Sequence, residues 1–182
     1  MKRSTRLFLF FALVFLGAGS INIKAQVVPS AFRKPFSLTA GGMVSGFQPN
    51  YGPNKLLGMG AYVDLNLFHG VGIEAEGRWL RFHSYQNITQ DNYLIGPRVK
   101  VLHFWRAQPY VKVLVGFGKM NFENNIATGR FTDISYGGGV DLRVTRRITL
   151  RAVDLEYQQW PKFLSSSLYP YGASMGIGYR IF

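Results

Sequence analysis

The chain has 182 residues, no cysteine, and 21 Lys and Arg against 9 Asp and Glu, for a formal charge of +12. That length suits one domain, and the absence of cysteine excludes a disulfide-stapled scaffold. The basic balance by itself would suit nucleic acid, but no helix pattern, zinc spacing or RNP-like run accompanies it, so no nucleic acid is expected as a partner.

Residues 1–25 read as a signal peptide. Residues 1–6 are basic, 7–18 are an apolar run, and Ile23-Lys24-Ala25 resembles a small-residue cleavage site before Gln26. About a dozen apolar residues are too few to span a bilayer as a helix. Lys2, Arg3, Arg6 and Lys24 leave with the leader, which takes four from the +12 and leaves +8 on residues 26–182. Export without disulfides agrees with a bacterial envelope protein. Residues 26–35, with two prolines, form a periplasmic lead-in.

From residue 36 the pattern has a period of two, which puts alternate side chains on opposite faces of a strand. Strand one, 36–47, sets Phe36, Leu38, Ala40 and Val44 against Ser37, Thr39, Gly41 and Ser45. Strand two, 57–68, sets Met59, Ala61, Val63, Leu65 and Leu67 against Gly58, Gly60, Tyr62, Asp64 and Asn66. His69-Gly70 is a tight hairpin. Strand three, 71–82, sets Val71, Ile73, Ala75 and Trp79 against Gly72, Glu74, Glu76 and Arg78. Strand four, 92–104, sets Tyr93, Ile95, Val99 and Val101 against Gly96, Arg98 and Lys100; Pro97 within it predicts a bulge or a break. Strand five, 109–119, carries Val111, Val113, Val115 and Phe117 against Lys112, Gly116 and Gly118. Strand six, 132–144, carries Ile134, Tyr136, Val140, Leu142 and Val144 against Asp133, Ser135, Gly137, Gly139, Asp141 and Arg143. Strand seven, 148–157, slips parity near Ala152, which predicts a β-bulge. Strand eight, 171–182, alternates Tyr171, Ala173, Met175, Ile177, Tyr179 and Ile181 with Gly172, Ser174, Gly176, Gly178 and Arg180.

Long links at 48–56, 83–91, 120–131 and 158–170 alternate with short ones at 69–70, 105–108 and 145–147. That asymmetry belongs to an up-and-down barrel in an outer membrane, with tight periplasmic turns and longer outer loops. The expected fold is therefore all-β: a transmembrane antiparallel barrel of eight strands over residues 36–182, the free edge at each end being removed by pairing the last strand with the first.

The end of the chain carries a family likeness. Ser174-x-Gly176-x-x-Tyr179-x-Ile181, followed by Phe182, resembles the terminal signal that outer-membrane barrels present to their assembly machinery. With strand count, loop asymmetry and interior charge, residues 36–182 resemble the OmpA-like/OmpX-like eight-stranded outer-membrane barrels. The resemblance implies the bacterial outer membrane, the barrel-assembly machinery as a partner during insertion, and a structural or surface-interaction role in envelope integrity or adhesion. A monomer is expected.

Two features put the apolar face toward lipid. Charge is nearly absent from it, and the polar parity is rich in glycine, which a water-facing strand has no use for but a narrow interior has. On that interior parity Asp64, Glu74, Glu76, Asp133, Asp141, Asp154 and Glu156 face Arg78, Arg98, Lys100, Lys112, Arg143, Arg151 and Arg180, seven acids to seven bases. Buried charges persist when paired, so an ion-pair ladder filling the lumen is expected. A small-solute, porin-like channel is the alternative, and eight strands leave little room for one. The surplus bases lie at the rims: Lys55, Arg81, Lys119, Arg130 and Lys162 near the outer loops, and Arg33, Lys34, Arg106, Arg146 and Arg147 on the periplasmic side. The outer set suits outer-membrane lipids, lipopolysaccharide phosphates among them. Strand-end aromatics are expected to form two girdles: Phe36, Phe68, Trp105, Tyr110 and Tyr179 below; Phe47, Trp79, Phe117, Tyr157, Trp160 and Tyr171 above.

A lipid-modifying enzyme would need a histidine beside a serine and a carboxylate. His69, His83 and His103 give no such arrangement: His83-Ser84 diverge, and the other two lie at the periplasmic rim. No catalytic, metal or cofactor site is expected.

Overall fold

The computed structural model describes residues 36–48, 55–82, 88–102, 104–121, 128–163 and 166–182. The expected leader and lead-in, 1–35, lie outside the described residues, as do His83, His103 and the side chain of Lys162.

Among the described residues the chain is built of strands: β1 (Ser37–Gln48), β2 (Leu56–Phe68), β3 (Val71–Phe82), β4 (Thr89–Lys100), β5 (Ala107–Asn121), β6 (Thr128–Arg143), β7 (Ile148–Phe163), β8 (Ser166–Leu168) and β9 (Tyr171–Arg180). From β1 to β7 each strand pairs antiparallel with the next, and β9 closes the ring between β7 and β1. β8 stands outside the ring, folding back on the outer end of β7 with Trp160 opposite Leu168. The barrel proper has eight strands, and closure removes the free edges on which other chains would otherwise pair.

The faces follow the expected parity. Met59, Ile95 and Ile177 point outward and are 59%, 55% and 58% exposed, while Glu74, Asp133 and Arg151 point inward and are 0% exposed. No helix among the described residues is long and apolar enough to cross a membrane. A closed sheet crosses by satisfying its backbone groups between strands.

The short turns match their residues. His69 (φ 52°) and Gly70 (φ 84°) both take the left-handed conformation that a two-residue hairpin demands. Phe104 and Ala107 exchange backbone hydrogen bonds at 3.0 and 2.6 Å around Trp105-Arg106. Thr145 Oγ1 accepts from the backbone N–H of Arg147 and of Ile148, fixing the third turn.

Both irregularities expected within strands have clear outcomes. Pairing of β4 with β5 lapses at Gly96 and Pro97, then resumes at Arg98↔Lys112 in the register set by Ile95↔Val115; on the other side Ile73↔Pro97 stays in line. Pro97 thus breaks one ladder without a bulge, because it withholds an N–H but adds no residue. On β7 the register slips between Arg151 and Asp154 against β9, and between Val140 and Asp141 against β6, so Ala152 is the extra residue of a bulge.

The strand ends need correction. At the periplasmic end β4 stops at Lys100, short of the expected 104; at the outer end residues 89–91, 120–121, 128–131 and 158–163, expected as loop, are strand. The reason is an inversion of polarity. Above Phe117 the outward residues become charged (Arg81, Lys119, Arg130) and the inward ones apolar (Leu80, Met120, Phe131). The period of two continues, but its sign reverses where the wall leaves the hydrocarbon. A reading tied to apolar-outward alternation stops there.

Candidate functional site

The lumen is where the chain concentrates its chemistry, and register decides which side chains meet. In its lower half Arg98 is hydrogen-bonded to Asp64, and its Nη2 reaches Asp141 Oδ2 at 2.6 Å. Its Nε lies 3.3 Å from Glu74. Arg151, from the far side, donates to Glu74 at 2.8 Å and lies 3.3 Å from both Asp64 and Asp154. Each guanidinium also lies flat on a tyrosine: Arg98 on Tyr110 and Arg151 on Tyr62, both at 3.7 Å from the ring centre. A planar, weakly hydrated cation suits this stacking as an ammonium would not.

In the upper half Lys112 Nζ stands among four carboxylates, 2.9 Å from Glu74, 3.1 Å from Glu76, 2.7 Å from Asp154 and 2.8 Å from Glu156. Arg78 grips Glu156 with two bonds, 2.6 and 3.1 Å, and Glu76 with a third at 2.6 Å, beneath the Phe47 ring at 4.5 Å. Ser135 donates to Glu156 at 2.9 Å. Six carboxylates and four cations form one continuous network. Stranding one partner of such a buried set costs about 3–5 kcal/mol, which makes the network a strong selector of register even where its net stabilisation is small.

The seven-to-seven balance expected from sequence is not what the lumen holds. Among the described residues Asp133 meets no base in an ion pair; Asn92 donates to it, with Gln90 donating to Asn92 at 2.7 Å. Lys100, Arg143 and Arg180 make no ion pair with a lumen acid among the described residues. They sit opposite Tyr110, Thr149 and Thr39, at the periplasmic ends of their strands. Inward parity had grouped these three with the network, but parity does not report height along the barrel axis.

The outer end of the lumen is sealed by apolar side chains. Phe47, Leu56 and Leu80 form one buried cluster; Met120, Phe131 and Trp160 form another, backed by Ile88 and Leu168. Phe131 and Trp160 stack at 4.0 Å. Three expected girdle aromatics are thereby corrected: Phe47, Tyr110 and Trp160 are inside, at 1%, 2% and 0% exposure. Phe47, Tyr110 and Trp160 share the inward parity of Ser45, Lys112 and Glu156, and that parity, not position at a strand end, decides their direction. Phe36, Phe68, Trp105, Trp79, Phe117, Tyr157, Tyr171 and Tyr179 do face outward. Tyr62 and Tyr110, the guanidinium shelves, are functional residues that this parity rule would have found.

Glu74, Glu76 and Asp154 offer oxygens within 4.8 Å of one another, a spacing that suits a metal ion. Lys112 bonds all three, so the chain's own ammonium stands where such a cation would. His69 is exposed at its turn and touches Phe68 edge-on. Of the terminal residues, Ser174 is buried and bonded to Ser45 at 2.8 Å, and Gly176 packs against Met43. Tyr179, Ile181 and Phe182 face outward, with Phe182 edge-on to Phe36 at 5.3 Å.

The family described as Outer membrane protein beta-barrel domain matches residues 11–180. Among solved structures, Neisserial surface protein A is similar over 80% of this chain and 96% of that one, at 10% identity with a TM-score of 0.61. OprG from Pseudomonas aeruginosa gives a TM-score of 0.57 at 10% identity, covering 81% and 96%. The N-terminal barrel domain of OprF from the same organism gives 0.54 at 15% identity, covering 79% and 97%. No curated protein matches the chain by sequence. At such identities the structural likenesses speak to fold alone, and they agree with the family match. The chain belongs to the outer membrane protein beta-barrel family, and its place is the bacterial outer membrane.

Proposed function

We propose that this chain is a closed, non-conducting barrel whose role is structural and surface-facing: envelope integrity, or adhesion through its outer end. The observation that carries the reading is the filled lumen. Arg78, Arg98, Lys112 and Arg151 occupy its middle with their carboxylates, and Phe47, Leu80, Phe131 and Trp160 seal it above. Side chains packed in this way leave little room for a continuous column of water, which supports a closed barrel. The longest strands, β5, β6 and β7, carry the Met120, Phe131 and Trp160 part of that seal near their outer ends, which gives the outer end a firm platform.

Planar-bilayer recording of the purified, refolded protein tests this. A flat trace is expected. Discrete, reproducible steps would establish the porin-like alternative instead. Lipid A mass spectra from overexpressing cells are expected to be unchanged, since the sequence sets no histidine beside a serine and a carboxylate in a catalytic pattern; a new lipid A species would make the protein an enzyme.

Ser174, Gly176, Tyr179, Ile181 and Phe182 serve, on this reading, as the signal to the assembly machinery. In the closed barrel both edges of β9 are occupied, by β1 and by β7, so the signal is readable only before closure. Replacing Tyr179, Ile181 and Phe182 by serine is expected to lower insertion in cells while leaving refolding into detergent intact.

A further inference from the structure

We propose that the outer wall of β3, β4, β5 and β6 is a binding site for a phosphorylated, acylated glycolipid of the outer leaflet, the lipid A portion of lipopolysaccharide. Three columns on this wall change character together. Upward, β3 runs Gly77, Trp79, Arg81; β4 runs Ile95, Tyr93, Asp91; β5 runs Val115, Phe117, Lys119. The registers Tyr93↔Phe117 and Asp91↔Lys119 align β4 with β5, while Gly77↔Tyr93 and Trp79↔Asp91 offset β3 by one step, an offset its side chains span where Trp79 donates to Tyr93 and Arg81 to Asp91. An apolar level, an aromatic level and a charged level therefore lie one above another, each step about 7 Å at two residues of rise.

The charged level is poised for an anion. Lys119 and Arg130 are direct cross-strand partners, and both are exposed. Like charges placed opposite each other on neighbouring strands repel. Asp91, the cross-strand partner of Lys119 on its other side, is held by Arg81 with bonds of 2.9 and 3.1 Å and makes no ion pair with Lys119 among the described residues. Lys119 and Arg130 thus form a two-cation clamp that an oxyanion bridging them would relieve, the guanidinium offering a fork and the ammonium a point charge.

The apolar level below contains a groove of about 530 Å³, lined by Ala61, Val63, Ala75, Gly77, Ile95 and Val115 and roofed by Tyr93 and Phe117. Small residues at 61, 75 and 77 make the dent. Trp79 Nε1 donates to Tyr93 Oη at 3.1 Å, and the Tyr93 and Phe117 rings meet at 5.6 Å, so the roof is held in place. The groove opens to hydrocarbon, and its occupant is an acyl chain. A chain in the groove and a phosphate at the clamp belong to one lipid. A phosphate monoester near its second ionisation carries up to two charges and matches two cations; a phospholipid diester carries one.

The test is titration of purified diphosphoryl lipid A onto the refolded protein in neutral dodecyl maltoside micelles, read by native mass spectrometry. Folding of every variant is checked by heat-dependent gel mobility. One lipid is expected to bind per barrel, and the Lys119→Gln, Arg130→Gln double variant is expected to bind about tenfold more weakly or worse. Gly77→Leu tests the groove without touching charge. A Cβ at Gly77 meets only Tyr93 at 3.5 Å and Trp79 at 3.6 Å, so the larger side chain fits and fills the dent, and a similar loss is expected. Arg146→Gln, on a periplasmic turn, is expected to bind normally. Unchanged binding by the double variant, an equal loss in Arg146→Gln, or phosphatidylglycerol binding as tightly as lipid A would each overturn the assignment.

Discussion

Lys112 and Glu156 come within 2.8 Å of each other, Nζ to Oε1, with a whole strand between them in the sheet. The intervening strand contributes Gly137, which pairs with Lys112 on one side and with Glu156 on the other. A Cβ at that glycine would lie 2.9 Å from Glu156 Cγ and 3.1 Å from Lys112 Cε. The absent side chain is the space in which the ion pair closes. Tyr62 repeats the arrangement elsewhere on the wall, lying over Gly41 and, through its hydroxyl, over Gly178.

Gly137→Val should therefore separate the pair. Overpacking at an unyielding site costs about 1–3 kcal/mol, and the weakened ion pair adds to it. The urea midpoint of the barrel in lipid vesicles, followed by tryptophan fluorescence, is expected to fall. Gly42→Val is the control: its added Cβ meets nothing nearer than Gly60 O at 3.9 Å, and its effect should stay within about 0.5 kcal/mol. Equal losses at the two sites would mean that valine acts through strand propensity and not through the rung.

Lys112→Ala removes the common partner of Glu74, Glu76, Asp154 and Glu156. Uncompensated buried charge of this kind costs about 3–5 kcal/mol. Because the ammonium had filled the space among these carboxylates, the variant should gain a response that the parent lacks. Millimolar calcium is expected to raise the unfolding temperature of Lys112→Ala and leave that of the parent unchanged. A parent that responds equally would place calcium elsewhere on the protein.

Outward apolar positions are expected to lie in acyl chains. A nitroxide on Val63→Cys or Ile177→Cys should collide with dissolved oxygen, which partitions into lipid, far more than with a water-soluble nickel chelate. The same label on Thr145→Cys, at an exposed turn, should show the reverse. Nickel access at Val63 equal to that at Thr145 would mean that the wall faces water.

Alternation made most of this fold legible: strand number and the inward parity of Asp64 through Arg180 follow from a period of two, and the break at Pro97 from the N–H that proline lacks. Two things were hidden, for different reasons. The outer ends of β5, β6 and β7 were missed because Lys119/Met120 and Arg130/Phe131 reverse the polarity of the pattern while keeping its period. Pairing inside the lumen was hidden because it runs across the barrel. Arg78 on β3 meets Glu156 on β7, strands that are not neighbours, and which inward residues share a level depends on strand tilt and stagger. The same ignorance of height placed Lys100, Arg143 and Arg180 in a ladder they lie below.

The slip at Ala152 was legible because a bulge leaves a mark in parity, and the mark leads to an unusual expectation. Arg151 points inward, Ala152 and Val153 do not, and Asp154 points inward again. Removing Ala152 restores strict alternation and brings Arg151↔Asp141 and Val153↔Val140 into one register. The same holds against β9, where Arg151↔Gly176 and Asp154↔Ser174 become continuous. Deletion of Ala152 should thus be tolerated, with a loss of about 1 kcal/mol or less from altered local twist. Deleting Val63 from the regular β2 should not be: every residue on one side of the gap changes face, and either Asp64 or Tyr62 turns toward lipid. Heat-dependent gel mobility of the two deletions, refolded side by side, distinguishes the cases. No folded band for the Ala152 deletion would show that this stretch of β7 is not a simple one-residue insertion, and a folded band for the Val63 deletion would show that a change of face in β2 does not decide folding.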